Sequence, residues 1–325
     1  MIKREHYLDF IGGIMILWMI VYAHFTVVTK YELPFREQLT YGLHLFMPWF
    51  FYKAGMFHKK TSFEEVLKKS FSRLLVPYII FTLIALVFDS IKICLNDGFS
   101  IYAIFLKPII QIVLLGTTSA NGPLWFLISL FIVRVLAVLI EHQPNKIQII
   151  SFIIFLTVPF IFYYFNFKKF IYIPNSLNGF IFYWIGYKLK EAQFSNKIFI
   201  ISSIFYFIIA IIAPAFGDIR KNIMYEGNYF VWYIFCTCGI ITINNIIKRL
   251  KIRDYVLTTI GKDSMTYYVT HWIFLTIAHI LTINILHINN NAIYFWTAMG
   301  LCFVICPIIN YYLPKSKYSF ILGIK

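Results

Sequence analysis

Ten apolar blocks of roughly twenty residues constrain this chain more than any other feature, because the short polar connectors between them are alternately rich and poor in Lys and Arg. A hydrocarbon core of about 30 Å needs about 20 apolar residues per helix. A chain that is 60% hydrophobic, with mean hydropathy +0.74, supplies that length many times over. A soluble fold is excluded. The expectation is an all-α integral membrane protein, a bundle of about ten transmembrane helices with both termini cytoplasmic.

The spans read as 8–28, 40–57, 74–92, 123–141, 147–165, 172–188, 197–215, 228–246, 264–284 and 292–313. Residues 101–116 are only sixteen long and carry Lys107-Pro108 at their centre, which suits an interfacial or re-entrant segment better than an eleventh crossing. Counting them as a full span would invert everything after them.

The charges assign the sides. Lys3 and Arg4, the five cations of 58–73, Lys146, the group Lys188, Lys190 and Lys197, the five cations of 247–263, and the tail Lys315, Lys317 and Lys325 share one side, nineteen in all. The other side has seven: Lys30, Arg36, Lys107, Lys168, Lys169, Arg220 and Lys221. By the positive-inside rule the first side is cytoplasmic. The net charge of +15 is therefore topogenic, since no basic stretch stands outside the membrane on a domain large enough to bind nucleic acid. Cys94, Cys236, Cys238, Cys302 and Cys306 lie in or beside spans without metal-ligand spacing, so neither a metal site nor a disulfide framework is expected. No small-x-small cleavage site follows the first apolar stretch, which predicts a retained helix.

Ionisable side chains inside a bilayer are expensive and mark pathways or reaction sites. Here they are mostly histidines. His24 falls near the outer end of the first helix and His44 near the outer start of the second, which places both imidazoles at similar depth in the outer half. His271 comes seven residues into the ninth span and reads as nearer the inner half. Imidazole exchanges protons near neutral pH, which is what activation of a hydroxyl for acyl transfer requires. His58, His142, His279 and His287 read as interfacial or loop-bound. The connector 58–73 has the basic and apolar alternation of an amphipathic helix on anionic headgroups, the reading its composition favours; the other is that its cations hold the phosphates of a polyanionic donor.

Four separated stretches then carry a resemblance. The first is Tyr7-Leu8-Asp9-Phe10-Ile11-Gly12-Gly13-Ile14 running on to His24. The second is His44-Leu45-Phe46-Met47-Pro48-Trp49-Phe50-Phe51 through Ala54-Gly55-Met56-Phe57, followed by the basic segment and Arg73-Leu74-Leu75-Val76-Pro77-Tyr78. The third is Asn121-Gly122-Pro123-Leu124-Trp125-Phe126-Leu127, and the fourth is Gly261-Lys262-Asp263-Ser264 through Tyr268 to His271. In this order, on ten spans, they resemble the acyltransferase 3 family of integral-membrane acyltransferases. Residues 140–255 match only as generic spans.

The resemblance implies one acyltransferase 3-like transmembrane domain over 1–325, with no separate soluble domain. It implies transfer of an acyl group, most often acetyl, from cytoplasmic acetyl-coenzyme A to a hydroxyl of a cell-surface or precursor glycan, in the cell membrane. It carries no permanently bound cofactor, since acyl-CoA is a substrate, and glycan-assembly proteins are the partners it points to. His24 is the implied general base, with His44 sharing or relaying the proton. Arg73, Lys68 and Lys69 are expected at the donor phosphates, and Trp125, Tyr268, His271 and Lys53 are further site candidates. The alternative is a glycan exporter of the same fold without transfer activity.

One departure stands out. In the family, a basic residue at the start of the first helix precedes the His with ten residues between and helps to position the donor or the His. Here that position is Gly13, or Gly12 by the Asp-x-x-basic-Gly pattern. A recruited cation, either Lys53 or Arg4, would restore the charge; glycines there also suit close helix packing.

Overall fold

The computed structural model describes residues 6–192, 194–212, 228–252 and 254–324. Lys3, Arg4, Arg220, Lys221, Arg253, Lys325 and the last turn of the 197–215 span lie outside the described residues. Regular structure among the described residues is helical, without a strand.

Seven helices among the described residues are long and apolar enough to cross a bilayer: His6–Thr29, Phe63–Asp97, Tyr102–Glu141, Asn145–Tyr164, Tyr229–Leu250, Ser264–Ile285 and Asn291–Lys315. They coincide with seven of the expected spans. The other three are helical but shorter or more polar. The 40–57 span is divided into Arg36–Leu43 and Phe46–Met56, 197–215 is represented by the 17-residue helix Asn196–Ile212, and 172–188 is Tyr172–Leu189. The last carries Asn175, Ser176 and Asn178, all buried. Tyr229 and Tyr233 donate their hydroxyl protons to Asn178 Oδ1. A helix enclosed by other helices needs no all-round apolar surface, which is why hydropathy understates it.

The chain forms two compact units. The first comprises 1–15, 35–67 and 132–262. Its central crossing, Phe46–Met56 against Tyr172–Leu189, runs through glycines that let the two backbones touch. A Cβ on Gly55 would lie 1.9 Å from the Tyr183 carbonyl oxygen, and one on Gly186 would lie 2.2 Å from that of Tyr52. Below this crossing His58 sits in a loop, as expected, but only 6% exposed. Its Nδ1 lies 2.7 Å from Tyr183 Oη and its Nε2 lies 3.0 Å from Glu141 Oε2. Burial pulls the imidazole pKa below its ordinary value, with Glu141 opposing the shift.

The second unit comprises 16–34, 68–131 and 263–325. In it the helix Ser264–His279 packs against Asn291–Tyr312, Val76–Asp97 and the turn Ser119–Leu124. Residues 101–116 are helical, over Tyr102–Leu106 and Lys107–Leu115. The helix Lys107–Leu115 ends at Gly116, whose φ of 70° is the left-handed conformation that glycine adopts without strain. After the irregular stretch 116–124 the chain enters Trp125–Glu141.

This break is sealed by side chains. Tyr78 Oη donates to the Gly116 carbonyl, Thr117 Oγ1 to those of Asn121 and Gly122, Trp272 Nε1 to that of Ser119, and Tyr268 Oη to that of Pro123. Gln111 accepts from the Ser119 amide, while Asn121 Nδ2 donates to the Val269 carbonyl. Non-helical backbone survives at membrane depth only when enclosed in this way. Lys107–Leu115 and Trp125–Glu141 are thus two helices joined by an enclosed break. The charge asymmetry of the connectors predicts Phe99 outside and Gln143 in the cytoplasm. In a cysteine-free background, Phe99→Cys should react with an impermeant thiol reagent from outside, and Gln143→Cys only after permeabilisation. Labelling of both from outside would make the two helices arms of a hairpin.

Candidate active site

In the second unit, His24 occupies the π-helical stretch Trp18–Phe25, a wide turn of the kind often found at functional sites. It is half-buried. His24 Nδ1 lies 2.8 Å from Nε2 of His271, which is fully buried. The ring centroids are 5.0 Å apart and the planes within 4°, so the imidazoles meet edge to edge, with each nitrogen in line with the other. His271 Nδ1 lies 3.0 Å from the Tyr267 carbonyl oxygen one turn back. Trp272 stands edge-on to His24, with centroids 5.3 Å apart, and its indole is the donor that seals Ser119.

The two histidines therefore lie at one level, and the expectation that they sit in different halves of the membrane does not hold. Counting from the start of the ninth span presumes that Ser264 lies at the interface. The preceding helix, Tyr255–Lys262, already meets the first helix one to two turns in: a Cβ on Gly261 would lie 1.7 Å from the Asp9 carbonyl oxygen, and one on Gly13 would lie 2.0 Å from that of Leu257.

Trp125 and Tyr268 are buried and joined through Phe126, whose ring packs edge-on against both. Both belong to the frame around the break that backs His271. Arg73 lies exposed in the π-helical turn Phe71–Leu75, with Lys68 and Lys69 exposed on the turn before it. Gly323, with φ of 69°, packs on the Arg73 backbone; a Cβ there would lie 2.6 Å from the Arg73 carbonyl oxygen.

His44 and Lys53 belong to the first unit. His44 is half-buried in the turn joining Arg36–Leu43 to Phe46–Met56. Lys53 Nζ donates to the Leu8 carbonyl at 3.2 Å, pairs with Asp9 Oδ1 at 3.4 Å and lies 5.3 Å from the Trp49 ring centroid. It also lies 3.2 Å from where a Cβ of Gly12 would stand. The ammonium thus occupies the place from which a side chain on residue 12 would grow. Among the described residues there is no group of three or more His, Cys, Asp or Glu arranged to hold a metal ion.

The Tyr267 carbonyl and the Trp272 indole escaped sequence reasoning. Neither has a residue-type signal: one is backbone, and the other is an aromatic in a chain rich in them. Long apolar helices enclosing an imidazole pair define an integral-membrane helical protein. The chain belongs to the acyltransferase 3 family, whose acyltransferase domain matches residues 5–311, and so it is a membrane acyltransferase. No curated protein and no solved structure matches it.

The two first-helix glycines should respond differently to substitution. Gly13→Ala drives Cβ into a backbone carbonyl and should lower thermal stability sharply, whereas Gly12→Ala meets the end of a flexible Lys at 3.2 Å and the Gly261 backbone at an ordinary 3.5 Å and should be tolerated. Melting curves of the two detergent-solubilised variants check this.

Proposed function

We propose that this protein transfers an acyl group, most simply acetyl, from cytoplasmic acyl-CoA to a hydroxyl of a cell-surface or precursor glycan at the cell membrane. The observation that carries the reading is the half-buried His24 held by a fully buried His271, in a chain of this family. His24 takes the proton of the acceptor hydroxyl as its oxygen attacks the thioester carbonyl. The carbon–sulfur bond then breaks, and the coenzyme A thiolate leaves with the proton that His24 returns. Arg73, with Lys68 and Lys69, offers charge partners to the donor phosphates; a planar guanidinium grips phosphate in two places where Lys supplies a point charge. Lys53, seated over Gly12, supplies the cation that the first helix lacks. Glycan export without transfer has no observation in its favour.

His24→Ala should reduce acyl transfer by about 10²–10⁴-fold in a protein that still folds and inserts. Wild-type glycan acylation in cells carrying this variant would refute the reading. Arg73→Ala should weaken coenzyme A binding by purified protein more than Lys69→Ala does, and equal binding by wild type and the Arg73 variant would return the segment to lipid anchoring.

Lys53→Met removes an ion-pair partner of the buried Asp9 and should destabilise by up to about 3 kcal/mol. Adding Asp9→Asn should restore stability but not turnover. Restored turnover in the double variant would make Lys53 purely structural.

A further inference from the structure

Two hydrogen bonds in series decide where the protons sit on the histidine pair. The Tyr267 carbonyl only accepts, so the His271 Nδ1 facing it at 3.0 Å carries a hydrogen. A neutral imidazole has one hydrogen, so His271 Nε2 carries the lone pair. The nitrogen facing that lone pair at 2.8 Å, His24 Nδ1, must then be the donor. By the same count His24 Nε2 carries its ring's lone pair.

We propose that His271 is a positioning residue: anchored to the Tyr267 carbonyl, it holds His24 as the Nδ1–H tautomer and so makes Nε2 the basic nitrogen. This rests on the reading of His24 as the general base. In the step itself, the hydroxyl proton passes to His24 Nε2 while the oxygen forms its bond to the acyl carbon. The Nδ1 proton of the resulting imidazolium stays in the bond to His271 Nε2, which stabilises the new charge. When the carbon–sulfur bond breaks, the Nε2 proton leaves with the coenzyme A sulfur, and the pair returns to its starting tautomers. His271 exchanges no atom with either substrate. Its ring is also fixed in orientation, because it meets His24 edge to edge within 4° and is fully buried. His271, itself held by a backbone carbonyl, fills the orienting role that a carboxylate fills in other imidazole-based sites.

The test measures radiolabelled acetyl transfer from acetyl-CoA into endogenous glycan in membrane vesicles containing the full chain, with melting temperature and protein amount recorded for every variant. His271→Gln keeps an acceptor near the Nε2 position, whereas the shorter His271→Asn keeps an amide that stops near Nδ1. The Gln variant should retain transfer within about tenfold of wild type. The Asn variant, at comparable stability, should lose roughly 10²-fold in maximal rate with KM for acetyl-CoA unchanged. Equal activity in the Gln and Asn variants, high or low, would overturn the proposal, as would wild-type rates in His271→Leu. If His24→Ala also transfers normally, the acyl-transfer role of His24 itself has failed; if it is inactive while His271→Leu is fully active, only the positioning role has.

Discussion

Backbone left unbonded in hydrocarbon costs several kcal/mol per group, and this constraint shapes the centre of the molecule. Helices meet it alone; the stretch 116–124 cannot. There, Tyr78, Thr117, Trp272, Tyr268 and Asn121 supply the missing partners from side chains. Two of these donors, Tyr268 and Trp272, flank His271 on its own helix. The groups that make a broken helix tolerable are thus the same groups that wall the imidazole pair. Structural need and site geometry are met by one set of hydrogen bonds.

A second constraint is the absence of a hydrophobic drive between helices that are already in lipid. Close approach then depends on small residues, and the first unit shows it at Gly13 with Gly261 and at Gly55 with Gly186. At each of these the neighbouring backbone carbonyl occupies the volume of a side chain. The cost of a mistake there is steric and immediate, unlike a slightly underfilled core, where neighbours relax.

Much of this was legible in the sequence, for physical reasons that also mark where legibility ends. Hydropathy finds helices with apolar outer faces, so Asn145–Tyr164 and Asn291–Lys315 stand out, whereas Tyr172–Leu189, enclosed by protein, keeps Asn and Ser that dilute the signal. Span counting presumes that helices start at an interface, and this misplaced His271 relative to His24. The bonds that tie 116–124 to the helix Ser264–His279 are long-range side-chain contacts that no local pattern encodes. His24 and His271 were found as expensive polar residues, but their pairing was not, since 247 positions separate them. His58 was passed over because its burial comes from Glu141 and Tyr183, distant in sequence.

Gly13 shows what such packing means for the history of the chain. Its Cβ site is filled by the Leu257 carbonyl, a group that cannot be mutated away because every residue type carries it. A side chain at position 13 would need Tyr255–Lys262 to move as a body, so single substitutions offer no route back to a basic residue there. A charge beside this contact comes instead from a different helix, where the Lys53 ammonium bonds the Leu8 carbonyl and Asp9.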